Sequence, residues 1–181
     1  SLIGQLQHGD LTQISIEVEG AAAELNIKPI TAAVLAGFMR RFSDAVNMVN
    51  APYLAKERGF DIREIRHDRE GDYHTLVRVS VKTDIGERSV AGTIFSNGIP
   101  RLVELFGVKV EADLEGNMLY IVNQDAPGFI GRLGTTLGEA GINIGTFHLG
   151  RQEAGGVAVL LLSVDTPVPA ATLEAIHNLP G

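Results

Sequence analysis

Three short polar side chains, Asn123, Asp125 and Asn143, bracket a glycine-rich apolar segment, and their types and spacing suit ligand chemistry. Asn123-Gln-Asp125-Ala-Pro127-Gly128 reads as the end of a strand and a tight turn into a helix. Gly141-Ile-Asn143-Ile144 reads as the turn out of that helix into the next strand. A carboxylate such as Asp125 can hold an ammonium group, and asparagine amides both donate and accept. A helix start at Pro127 and Gly128 offers amides without intrahelical partners and a positive partial charge, which suits a ligand carboxylate. Together these are the two kinds of group that a zwitterionic amino acid requires. Singly, Asp125 and Asn143 are also ordinary turn residues. The combination points to a sensor of a small polar molecule rather than to a catalyst.

Other chemistry is sparse. No Gly-x-Ser-x-Gly elbow, P-loop or Gly-x-Gly-x-x-Gly fingerprint occurs, and the five histidines show no metal-ligand spacing, so no catalytic and no metal-binding residues are assigned. The acidic pair Asp68 and Glu70 falls in a polar, solvated turn. His74, Arg78, Lys82, Arg88 and Arg101 would make an anion pocket if one face gathered them; otherwise they decorate a solvated sheet face.

A length of 181 residues suits one or two compact domains. The formal net charge of −7 argues against a general affinity for nucleic acid or an anionic membrane surface. With no cysteine, a disulfide framework, a thiolate nucleophile and a Cys-ligated metal are excluded, and a cytoplasmic location fits. The longest apolar run, Val157–Val164, is about half of the ~20 residues a membrane-spanning helix needs. Residues 1–6 read as the tail of a helix cut from something longer, and no signal peptide opens the chain.

The elements that must position the polar residues follow from periodicity. Residues 12–19 alternate polar and apolar as a half-buried strand closed by Gly20. Apolar residues spaced at helical intervals predict a helix over 30–49, with Pro29 as punctuation, and a short second helix over 53–58 that ends at Gly59. Extended segments are expected at 60–65, 76–81, 89–95, 101–106 and 108–112, with a hairpin at 84–87 and turns at 67–72 and 97–98. The charged turn 113–117 is the best domain boundary. Beyond it comes a strand over 118–122, a helix over 127–140 with Ile130, Leu133, Leu137 and Ala140 inward, and a strand over 142–149. A turn at 151–156, a strand over 157–164 and a helix over 167–178, with Leu173 and Ile176 inward, complete the pattern. This β-α-β-β-α order is a ferredoxin-like unit short of its last strand, which would leave 118–122 as an open edge; the chain reads as truncated at both ends. The helix carries glycines at 128, 131, 134 and 138, suited either to close packing on the sheet or to the approach of a ligand or partner at the helix start.

Asp125-Ala-Pro-Gly128 followed by Gly141-Ile-Asn143-Ile144 resembles the ACT domain, a ferredoxin-like regulatory module that binds amino acids. Four upstream segments are similar to the intervening domain of long-form D-3-phosphoglycerate dehydrogenases: 14–20, 42–52, 90–95 and 101–107. The resemblance implies an α+β chain of three parts: a linker or helix tail over 1–9, an α/β intervening domain over 10–114, and an ACT domain over 115–181 lacking its last strand. It implies that the parent enzyme oxidises 3-phosphoglycerate with NAD at the entry to serine synthesis, and that the chain itself, without the nucleotide-binding and catalytic domains, binds no cofactor and has no dehydrogenase activity. L-Serine would bind at ACT–ACT interfaces of a homo-oligomer. Its contacts would fall on Asn123, Asp125, Pro127, Gly128 and Asn143. Two departures stand out: Ala126 where the motif often has Arg, and Asn123 in place of a larger His or Tyr. An ACT pair that only dimerises, and a serine dehydratase-related subunit, are the alternatives; the absence of cluster-binding cysteines speaks against the latter.

Overall fold

The computed structural model describes Ile3 and residues 9–67, 71–95, 98–151 and 153–180. The expected helix tail at 1–6, the acidic pair Asp68 and Glu70, and Asn97 of the 97–98 turn lie outside these residues, Ile3 apart. The chain divides into two compact units, Ser1–Gly107 and Val108–Gly181. The division falls shortly before the expected 113–117 turn.

The first unit holds β1 (Leu11–Gly20), a 3-10 turn (Ala21–Glu24), α1 (Ile27–Met39), α2 (Ala51–Glu57), β2 (Asp61–His67), β3 (Thr75–Thr83), β4 (Gly86–Ile94) and β5 (Pro100–Leu105). Its strands lie in the order β2-β1-β3-β4-β5. β1 is parallel to β2 and antiparallel to β3, so the two helices form the crossover that a parallel pair requires. Ile14, Ile16 and Val18 of β1 point to this helical layer and pack with Leu35, Phe38 and Met39 of α1 and with Val79 and Val81 of β3. The alternate β1 residues, Ser15, Glu17 and Glu19, face the other way, as the two-residue period of a strand dictates.

The helix expected over 30–49 is shorter and starts earlier. Asn26 caps α1 by accepting from the Lys28 N–H at 3.1 Å, and Pro29 sits in the first turn, where a missing N–H costs nothing. Past Met39 the side chains of Asn47 and Asn50 take over the backbone. The Asn47 side-chain Oδ1 accepts from Val49 N–H at 2.8 Å and Asn50 N–H at 3.1 Å, and Asn50 Oδ1 accepts from Asn47 N–H at 2.8 Å. Asparagines that bond to nearby backbone compete with a helical ladder, and here they win.

Glu64 of β2 ties the sheet to α1. It accepts from the Thr31 hydroxyl at 2.7 Å and from Lys28 Nζ at 3.1 Å. The Thr31 bond, with Lys28 adding to it against a smaller cost of burial, holds the Glu64 carboxyl below its ordinary range. A depressed folded-state value stabilises the fold above the unfolded glutamate pKa of about 4.3 and loses that contribution as pH falls through the folded value. Thr31→Val is therefore expected to flatten the acid limb of stability as pH falls below the unfolded glutamate pKa of about 4.3. Urea unfolding across that range checks it, and an unchanged slope would refute the role of Thr31.

The second unit holds β6 (Val108–Ala112), β7 (Asn117–Gln124), α3 (Phe129–Glu139), β8 (Ile144–Arg151), β9 (Val157–Val164) and α4 (Ala170–His177). Its sheet runs β7-β9-β8, with β9 antiparallel to both neighbours. β7 and β8 are thus parallel and joined through α3, which is the ferredoxin-like order. Leu133 and Leu137 of α3 and Ile176 of α4 close one face of the sheet over Leu160 and Leu162. The inward set on α3 is Phe129, Leu133 and Leu137; Ile130, expected inside, is 50% exposed, and Leu173 of α4 is 43% exposed. Helical phase explains the first difference: Phe129, not Ile130, lies four residues before Leu133.

Candidate functional site

β7 delivers Asn123 and Asp125 to the carboxyl end of the second unit's sheet. Asn123 is buried and donates from Nδ2 to the Gln124 carbonyl at 2.7 Å, while its Oδ1 has no partner among the described residues. The Asp125 N–H donates to the Gly156 carbonyl at 2.8 Å, which pins the turn to the β8–β9 hairpin. Its carboxylate is also engaged. Oδ2 accepts from the Arg151 guanidinium at 2.5 Å and from the Gly155 N–H at 3.1 Å. The Gly155 amide first, and the Arg151 charge with it, hold the Asp125 carboxyl below the usual carboxylate range, against a small opposing cost of desolvation.

Behind Asp125 the chain enters α3. Gly128 is the N-cap at φ 87°, a left-handed conformation that L side chains rarely adopt, and no side chain caps the helix. Pro127 has no N–H to offer, and the Phe129 N–H is turned back on the Ala126 carbonyl at 3.4 Å. The donors at this end are therefore the amides of the first helical turn rather than Pro127 itself. Arg132 lies over the turn: its Nη1 is 2.9 Å from where a Gly128 Cβ would stand, and its Nη2 donates to the Pro180 carbonyl at 2.6 Å.

Asn143 lies elsewhere. It precedes β8, donates from Nδ2 to Asp165 Oδ2 at 2.9 Å, and accepts on its carbonyl from the Asp165 N–H at 3.2 Å. Asp125 touches Arg151, the last residue of β8, whereas Asn143 abuts the first. Eight strand residues at about 3.3 Å each put roughly 23 Å between the two ends. Asn123, Asp125 and the helix start come together; Asn143 does not join them within one chain.

The five basic candidates of the first unit do not all share one face: Arg88 lies opposite Arg78. Arg78 faces the same side as Glu17 and pairs with Glu104, which raises the Arg78 pKa and also accepts from the Ser89 hydroxyl at 3.4 Å. Lys82 is registered against Glu87 and Arg101 against Thr93. Arg88 is registered against the core residue Val81, on the opposite face, where its guanidinium sits 5.0 Å from the Phe106 ring centre. His74 serves through its backbone carbonyl, which accepts from the Ala21 N–H at 2.9 Å.

Sequence reasoning missed Arg151 and Gly155, which it read as turn residues. Their partnership with Asp125 depends on β8 and β7 lying on either side of β9, and spacing along the chain carries no sign of that order.

A family profile described as D-3-phosphoglycerate dehydrogenase intervening domain matches residues 1–106, and an ACT domain profile matches residues 117–181. The D-3-phosphoglycerate dehydrogenase of Bacillus subtilis is 35% identical over 181 residues, covering 99% of this chain and 34% of that protein. That of Synechocystis is 31% identical over 183 residues, covering 100% of this chain and 33% of its own length. The protein of the same name from Methanocaldococcus jannaschii is 33% identical over 182 residues, covering 100% of the chain and 34% of its own length. The chain thus spans about a third of the length of these relatives.

Proposed function

The chain belongs to the D-3-phosphoglycerate dehydrogenase family, as an intervening domain followed by an ACT domain, and from that premise we propose that it is the regulatory part of an NAD-dependent dehydrogenase of L-serine biosynthesis. In this reading the second unit senses L-serine and joins copies of the chain. NAD belongs to the parent enzyme: the chain has no Gly-x-Gly-x-x-Gly turn to cradle a pyrophosphate, so no step is assigned to NAD on these residues. A cytoplasmic setting goes with that chemistry, and among the described residues no helix is long and apolar enough to cross a membrane.

One observation carries the sensing role: the polar candidates split between the two ends of β8. β8 is an outer strand, paired only with β9 among the described residues. If two copies align β8 against β8 in antiparallel fashion, the start of one strand meets the end of the other. Asn143 of one copy then reaches the Asp125–Arg151 corner of its neighbour, and each interface completes two sites. Phe147 and Leu149 favour such pairing. They are registered against Leu162 and Leu160 on the helix-bearing face, yet remain 37% and 39% exposed. Asp125 would hold the serine ammonium, Asn123 and Asn143 its remaining polar groups, and the donors at the helix start its carboxylate. Serine would act by favouring one arrangement of domains over another.

The rival reading, an ACT pair that only assembles, draws on a different observation. The Asp125 carboxylate already has two partners inside its own chain. A serine titration by thermal shift separates the two. At about 100 times its Kd a one-site ligand adds about 2.7 kcal/mol of stability. Asp125→Ala is expected to abolish that shift while the fold survives, since the ion pair it breaks is a solvent-screened surface contact. An unchanged serine response in this variant would overturn the site assignment. No shift at millimolar serine in the unaltered, still oligomeric chain would favour the scaffold.

A further inference from the structure

Arg151 stands in the site with most of its chemistry unspent. Guanidinium has five N–H donors in a planar fork, and among the described residues only Nη1 is seen to bond, to Asp125 Oδ2; the side chain is 50% exposed. Asp125 is half-used in the same way. Both of its carboxylate bonds, from Arg151 and from Gly155, land on Oδ2, and Oδ1 accepts from no described residue. The corner is therefore a fixed carboxylate beside a fixed guanidinium, each with an open flank. The Gly155 amide and the strand end hold them in place.

We infer that the Asp125–Arg151 pair is the specificity element of this site, a bracket that reads the α-amino-acid zwitterion by placing its ammonium on Asp125 Oδ1 and its carboxylate on the spare N–H groups of Arg151. The inference rests on the effector-binding reading above, moves the ligand carboxylate from the helix-start donors to Arg151, and adds a rule of selection. An amine lacking the carboxylate engages Asp125 alone, and a carboxylic acid lacking the amine engages Arg151 alone; each leaves one charge of the bracket without its ligand partner. Because the pair is already formed, neither side chain has to be ordered on binding, which lowers the entropic cost. Planar bidentate recognition of a carboxylate is what arginine does better than lysine. The side chain of the amino acid is left to Asn123 and to Asn143 of a second copy. The bracket itself therefore tolerates glycine and alanine as well as serine.

Isothermal titration of the 181-residue chain with L-serine, L-serine methyl ester and 3-hydroxypropanoate tests this. Serine is expected to bind at least about tenfold more tightly than either singly charged analogue, since each analogue forfeits one charge-assisted contact. Arg151→Gln should weaken serine about tenfold or more and leave the ester unchanged, so that the preference for the zwitterion collapses. Arg151→Lys should fall between. A merely structural arginine would weaken all ligands together. If the unaltered chain binds serine and Arg151→Gln keeps both its affinity and its preference over the ester, the bracket is wrong and the effector reading stands. If the unaltered chain binds no amino acid, both fall.

Discussion

Gly20→Ala is expected to destabilise the first unit by about 2–6 kcal/mol, enough to unfold a marginal domain. Two costs add at this position. Gly20 ends β1 at φ 62° and ψ −142°, a conformation close to the region open almost solely to glycine, and forcing an L side chain into it costs about 1–3 kcal/mol. A Cβ there would also stand 2.4 Å from the His74 carbonyl oxygen. That oxygen cannot swing away, because it accepts the Ala21 N–H at 2.9 Å and belongs to backbone rather than to a flexible side chain. Relieving the overlap displaces the β1–β3 ladder at a cost of about 1–3 kcal/mol. Gly150→Ala in the second unit isolates the steric part. Its added Cβ would meet the Lys109 carbonyl oxygen of β6 at 2.4 Å, but its φ lies outside the left-handed range. Gly150→Ala should therefore cost about 1–3 kcal/mol, the smaller loss of the two. Urea midpoints at constant m-value measure both. A Gly20→Ala chain no less stable than Gly150→Ala would mean that the backbone conformation at Gly20 carries no penalty.

What could be read from the chain in advance divides along physical lines. Strands and helices with a strong period were legible: β1 by alternation, and α3 by the three-and-four spacing that puts Leu133 and Leu137 inward. Their order alone identified a ferredoxin-like unit. The end of α1 was not legible, because the apolar spacing continues to Val49 while the backbone leaves the helix after Met39 and is held over 45–50 by the side chains of Asn47 and Asn50. Propensity counts those asparagines as weak helix residues; their hydrogen bonds make them a different structure. The candidate site was legible as a set of residue types and illegible as a place. Asp125 and Asn143 flank one helix in sequence, yet a parallel strand pair sends them to opposite ends of the sheet. Arg151, far along the chain, arrives beside Asp125 for the same reason. Arg78 and Arg88 of the first unit are divided by the same kind of cause: they are on neighbouring strands, but registry puts one beside Glu17 and the other beside Val81.

The glycines of α3 produce the opposite sign of effect from Gly20. Gly131, Gly134 and Gly138 all stand at helical positions where an added Cβ would meet no atom within 4 Å. Close packing of the helix on the sheet, one of the two roles the sequence suggests for them, is therefore not what they do within the chain. Each nonetheless costs the helix about 0.5–1 kcal/mol relative to alanine through the conformational freedom it surrenders on folding. Replacing all three with alanine is expected to raise stability by roughly 1.5–3 kcal/mol, since the sites share no partner that could couple them. The gain should appear as a higher urea midpoint and a higher Tm, with the Leu133 and Leu137 core undisturbed. Thr135, which donates to the Gly131 carbonyl at 3.0 Å, stays as the control for helix geometry. A triple variant no more stable than the parent would require a hidden neighbour for the helix and would refute the open face.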